Sequence, residues 1–136
     1  MSSVLVINCG SSSLKFVLLD PETGEVALKG LAERLGQPGA HVLFKGDEGY
    51  EFDLQQGAHS EAMQAVLAEL DKRDLMTKVR AVGHRVVHGG ERFQGAITID
   101  DDVLTAIEAC STLAPLHNPA NLIGIHAARQ HLPHLP

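Results

Sequence analysis

The chain has 136 residues, 44% of them hydrophobic, which is enough for one globular domain with a core of its own. Its net charge of −6, its pI near 5.7 and the lack of a Lys/Arg stripe exclude sequence-independent nucleic-acid binding, which needs clustered cations against phosphate. No apolar run reaches bilayer length and the amino terminus lacks the basic, apolar, small-residue order of a secretion signal, so the expectation is a cytoplasmic protein without membrane partners.

The first element is an apolar run, Val4-Leu5-Val6-Ile7-Asn8-Cys9, that breaks at Gly10-Ser11-Ser12-Ser13 and resumes at Leu14. Val4, Val6 and Asn8 share one strand face. After the turn, Ser13, Lys15, Val17 and Leu19 share a face, and Leu14, Phe16 and Leu18 share the other. The pattern predicts a β-hairpin. A backbone freed by Gly10, hydroxyls at Ser11, Ser12 and Ser13 and the Lys15 ammonium form a dense donor set for an anion, although an ordinary serine-rich turn has the same composition. Cys9 is expected to be a small buried side chain behind Gly10 rather than a nucleophile, and a disulfide with Cys110 is not expected.

Asp20-Pro21-Glu22-Thr23-Gly24 is a turn signal, and residues 26–35 resume as a third antiparallel strand. Residues 41–45 and 50–54, separated by Gly46-Asp47-Glu48-Gly49, predict a smaller hairpin with an exposed tip. From His59 to Lys72 the apolar Met63, Val66, Leu67 and Leu70 fall at helical spacing. Residues 79–88 are β-branched with period two, placing Ala81, Gly83, Arg85 and Val87 on one face and ending at Gly89-Gly90. Residues 100–112 predict a helix with a Val103, Leu104, Ile107, Cys110 stripe and aspartates at its positive end. A last helix starts at Asn118 with Pro119 in its first turn, runs through Leu122, Ile125 and Arg129, and fades at His131. Three hairpin-linked strands followed by helix, strand and helices make a mixed α/β sheet, parallel at its later strand.

Arg85 stands between apolar neighbours, where a guanidinium must either bridge an internal carboxylate or line a cleft. His117 lies where the chain turns into the last helix and can cap, satisfy the core or act in a site. His84 and His88 are four apart on a strand with no Glu after the first, so the metalloprotease pattern is absent. His126, His131 and His134 are expected at the surface or a frayed end.

Three strings carry a resemblance: Asn8-Cys9-Gly10-Ser11-Ser12-Ser13-Leu14-Lys15, then Gly83-His84-Arg85-Val86-Val87-His88-Gly89-Gly90-Glu91, then Leu113-Ala114-Pro115-Leu116-His117-Asn118-Pro119. In this order they resemble the acetate kinase family of actin-like, sugar-kinase-like phosphotransferases. The resemblance implies an actin-like (ribonuclease H-like) half-domain and Mg2+-dependent, or Mn2+-dependent, phosphoryl transfer between ATP and acetate, giving ADP and acetyl phosphate. It places Asn8 at the metal, Lys15 with Ser11 and Ser13 at the nucleotide phosphates, and Arg85 on the carboxylate or acyl phosphate. Val87 and Leu116 would line the pocket for the acetyl methyl group, with His117 at the transferring phosphoryl. Propionate and butyrate kinases are near neighbours.

The resemblance also implies homodimers and a longer polypeptide. An Asp on the next strand, a later His and Arg, and a second domain with the adenosine pocket and a metal-associated Glu all belong to the missing part. Residues 1–136 are therefore expected to form an amino-terminal domain that does not complete a turnover alone. The alternative is a non-catalytic anion-binding or interaction module.

Overall fold

The computed structural model describes residues 3–46, 49–84, 98–109 and 118–136, the last stretch with side chains from Asn121 onward. Six strands, β1 (Ser3–Cys9), β2 (Leu14–Leu19), β3 (Val26–Glu33), β4 (His41–Lys45), β5 (Tyr50–Asp53) and β6 (Val79–His84), form one sheet in the order β5-β4-β3-β2-β1-β6. All neighbours are antiparallel except β1 and β6, which run parallel with Val4 beside Ala81 and Ile7 beside His84. Helix α1 (His59–Lys72) precedes a short 3-10 turn (Met76–Lys78), and α2 (Asp101–Ala109) and α3 (Asn118–His131) follow β6.

Period-two alternation sorts the two faces. Leu5, Ile7, Cys9, Leu14, Phe16, Leu18, Leu28, Val42 and Phe44 are buried with Ala62, Met63, Val66 and Leu70 of α1 and Ala127 and Ala128 of α3. Gly30 stands in register between Phe16 and Phe44, whose rings meet edge to face with centroids 5.7 Å apart. A Cβ at Gly30 would come within 2.9 Å of the Phe16 ring, so the bare backbone there makes room for the aromatic pair. Val103, Leu104 and Ile107 of α2 form a second cluster with Leu122 and Ile125 of α3. The Asp100 carboxylate accepts the Val103 N–H at 2.8 Å and so caps α2, and Arg129 reaches Asp101 at 3.3 Å.

Two features depart from the sequence expectations, and a third, at Glu69, had no sign in them. The third strand ends at Glu33 rather than residue 35 because Arg34 takes a left-handed conformation, φ 56°, which turns the chain out of the sheet. Glu69, on the buried face of α1, accepts the Tyr50 hydroxyl at 2.7 and 2.9 Å and pairs with Arg73 at 3.5 Å, tying the edge strand β5 to the helix. His131 is half-buried rather than frayed, and its Nε2 is enclosed without a hydrogen-bond partner among the described residues. The second half of the expected strand at residues 79–88, and the end of the expected helix at residues 100–112, lie outside the described residues.

His41 binds three strands together. Its Nδ1 donates to the Gly39 carbonyl at 2.9 Å, leaving Nε2 3.4 Å from Glu33 of β3 and 3.8 Å from Glu51 of β5. The Gly39 carbonyl raises the imidazole above its usual 6.5, and Glu51, Glu33 and Asp53 add to this against the opposing effect of burial. A raised histidine stabilises the fold fully below 6.5, and that contribution fades as pH climbs through the raised folded value. Replacing His41→Gln is therefore expected to lower the melting temperature more at pH 5.5 than at pH 8.5, read by circular dichroism. An equal loss at both pH values would show that the ion pairs do not stabilise the edge.

Candidate phosphate-binding turn

Strand β1 carries Asn8 on the face opposite the core. In the antiparallel register Asn8 lies beside Lys15 and Cys9 beside Leu14, so residues 10–13 form the loop of the hairpin. Directly opposed side chains on one face stand about 5 Å apart at Cβ, which brings the half-buried Asn8 amide and the exposed Lys15 ammonium to the same side of the turn. Ser11 is exposed, and Ser12 and Ser13 are half-buried. A Cβ on Gly10 would come within 2.8 Å of the Ser13 hydroxyl, so glycine at this position leaves that oxygen room to fold back over the loop.

The carbonyls of Cys9, Gly10, Ser12 and Ser13 are occupied by the protein. Asn121 of α3 donates from Nδ2 to the Cys9 carbonyl at 2.8 Å, and His59, the first residue of α1, donates from Nε2 to that of Gly10 at 2.9 Å. The Leu35 N–H donates to the Ser12 carbonyl, and the Gly10 N–H to that of Ser13, each at 2.9 Å. A trans peptide unit aims its C=O and the following N–H in opposite directions. Anchoring the Gly10 and Ser12 carbonyls on the fold therefore turns the Ser11 and Ser13 amides away from it, and neither has a hydrogen-bond acceptor among the described residues. Two outward amides with hydroxyls and one ammonium beside them make a donor set for an anion.

Behind the turn α3 lies at backbone distance from β1. A Cβ on Gly124 would meet Cys9 Cβ at 2.8 Å and its Sγ at 3.2 Å, so a glycine in mid-helix is what lets α3 seat Asn121 over the Cys9 carbonyl. Burial pushes the Cys9 thiol up to about 12, only partly offset by a backbone contact at Gly124. Cys9 is free, buried and protonated at neutral pH, a packing residue rather than a nucleophile. At the end of β6, burial also lowers His84 to about 4, so its imidazole is neutral at pH 7.

Of the eight residues singled out from the sequence, Asn8, Ser11, Ser13 and Lys15 are brought together at this turn. Arg85, Val87, Leu116 and His117 lie outside the described residues. On β6, Ala81 and Gly83 pair in register with Val4 and Val6, on the face that carries Asn8. The described residues contain no group of three His, Cys, Asp or Glu placed to hold a metal ion. Sequence reasoning missed His59, Asn121 and the Leu35 amide, whose role is set by contacts across the chain. Gly124 alone left a local sign, since glycine in a helix interior costs about 1 kcal/mol relative to alanine and asks for a packing reason.

The sequence profile of the acetokinase family matches residues 3–136. The chain belongs to the acetokinase family. It is 54% identical over 133 residues to an acetate kinase of Deinococcus radiodurans, covering 97% of this chain and 33% of that protein. Its backbone superposes on a propionate kinase from Francisella tularensis with a TM-score of 0.96 at 41% identity, covering 100% of this chain and 35% of the other. The acetate kinase of Porphyromonas gingivalis gives 0.91 at 39% identity, covering 99% and 36%. The chain thus spans about a third of the length of the relatives it matches and corresponds to their amino-terminal portion, with the α/β half-domain of the actin-like fold. Among the described residues no helix is long and apolar enough to cross a membrane.

The contact between Gly124 and Cys9 yields two measurable outcomes. Gly124→Ala should destabilise by about 1–3 kcal/mol in urea unfolding, because overpacking against Cys9 outweighs the better helix propensity of alanine. Cys9 should resist iodoacetamide at pH 8 in the folded chain and react once urea unfolds it, as followed by mass spectrometry.

Proposed function

We propose that this chain is the amino-terminal domain of an acetate kinase and forms one wall of its active-site cleft. The observation that carries the reading is the turn at residues 10–13, with its Gly10 and Ser12 carbonyls held by the fold, the Ser11 and Ser13 amides that follow them turned outward, and Asn8 and Lys15 side by side at its base. Phosphoryl transfer depends mainly on positioning and charge neutralisation, which amides, hydroxyls and an ammonium supply without covalent chemistry.

In this reading the Lys15 ammonium and the Ser11 and Ser13 hydroxyls hold the phosphates of ATP. Arg85 takes the acetate carboxylate in a bidentate grip, Val87 and Leu116 line the pocket for the methyl group, and His117 steadies the transferring phosphoryl. A carboxylate oxygen of acetate attacks the γ-phosphorus in line, the bond to the β,γ-bridging oxygen breaks, and ADP leaves as acetyl phosphate forms. Asn8 offers one neutral oxygen and would hold a Mg2+ ion directly or through water. That ion, when bound, neutralises charge on the phosphate oxygens. A methyl pocket separates acyl groups by only about 1–3 kcal/mol per methylene, so propionate is a poorer substrate rather than an excluded one. The working protein is a cytoplasmic homodimer in the same reading.

The test is a chimera in which this chain replaces the first third of the Deinococcus radiodurans acetate kinase. Hydroxamate trapping should detect ATP-dependent acetyl phosphate from the chimera and none from the isolated chain. Appreciable product from the isolated chain would defeat the alternative of a non-catalytic anion-binding module. In the chimera, Lys15→Ala should lower kcat about 100-fold with folding intact. Asn8→Ala should blunt the Mg2+ dependence, and an unchanged Mg2+ titration in that variant would remove Asn8 from the site.

A further inference from the structure

We propose that His59 is a positioning residue of the phosphate turn, fixing the direction of the Ser11 amide through its bond to the Gly10 carbonyl. The inference rests on the reading of the turn as an anion cradle and adds to it a residue 49 positions away in sequence. Gly10 is the one residue of the loop without a Cβ, and the peptide that follows it is the easiest of the loop to flip. A flipped peptide would present the Gly10 carbonyl to an incoming anion in place of the Ser11 N–H. The His59 contact, Nε2 to Gly10 oxygen at 2.9 Å, stands against that flip. Because a carbonyl only accepts, the geometry also sets the tautomer: the proton is on Nε2.

His59 is itself braced. The amides of Gln55, Gln56 and Gly57 all donate to the Glu61 carboxylate, at 3.2, 3.0 and 2.7 Å, and close the entry loop onto the first turn of α1. The Gly36 N–H donates to the Gly57 carbonyl at 2.7 Å, and the Leu54 N–H to that of Ala40 at 2.8 Å, joining this loop to the ends of β3 and β4. The imidazole thus reaches the turn from a base tied to both the helix and the sheet. Asn121 holds the preceding carbonyl from α3, so the two peptides entering the turn are anchored by two different helices.

The experiment is amide-resolved NMR of the chain titrated with inorganic phosphate. In the wild type the Ser11 and Ser13 amides should shift saturably. His59→Ala should weaken phosphate binding tenfold or more, with the greatest loss of shift at Ser11, while Ser13, anchored through Leu35, moves less. His59→Gln, whose amide N–H has a similar reach, should restore most of the affinity. A purely structural role would lower the melting temperature without singling out Ser11. A His59→Ala chain that binds as the wild type does, with the Ser11 shift intact, overturns the inference alone. A wild type whose amides ignore phosphate overturns the cradle and the inference together. If His59→Ala does not fold, the wild type still decides, because an Nδ1–H tautomer of His59 in long-range 15N spectra at pH 7.5 excludes the bond, and an Nε2–H tautomer with His59→Gln rescue supports it.

Discussion

Strand β1 is hydrogen-bonded along both edges, antiparallel to β2 on one side and parallel to β6 on the other. Its register therefore cannot slip without breaking two ladders and turning Leu5, Ile7 and Cys9 out of the core. The same alternation that buries those three side chains puts Asn8 on the opposite face. The core of the sheet and the position of the candidate site are thus two readings of one strand. Everything at the turn inherits that constraint, because Lys15 is placed by its register with Asn8 and the loop closes on the last pair, Cys9 and Leu14.

The turn itself holds its shape through the fold behind it. A polar loop left to itself would exchange its carbonyls among water molecules, and buried or half-buried backbone groups without partners are costly. Here the partners come from a helix-start imidazole, a buried helix amide, the chain beyond β3 and the loop's own first N–H. Charge has a smaller part in the architecture. Cys9 and His84, the two titratable groups that burial shifts most among the described residues, are both held neutral near pH 7, which keeps uncompensated charge out of the sheet beside the turn.

Much of this architecture was legible in the sequence because it is locally periodic. The two hairpins, the span of α1 and the start of α3 follow from alternation, helical spacing and turn residues, and the first hairpin alone located Asn8, Ser11, Ser13 and Lys15. The missed features depend on single conformations or distant partners. Arg34 leaves the sheet through a positive φ that no pattern announced, and Glu69 is buried because Tyr50 and Arg73 meet it on the helix. The contacts of His59 and Asn121 with the turn are single hydrogen bonds between remote segments, a type of interaction with no periodicity to detect.

The separations of those two contacts bear on the order in which the molecule assembles. The hairpin that contains the turn joins near neighbours in sequence, whereas His59 closes a loop of 49 residues onto Gly10 and Asn121 one of 112 onto Cys9. Closing such loops costs chain entropy that short-range pairing does not, and long-range contacts slow folding. A nascent chain that has released only its first hairpin therefore has the residues of the turn but not its anchors. The turn takes its full set of anchors only once α3 docks, which ties the shape of the candidate site to a contact made 112 residues further along the chain.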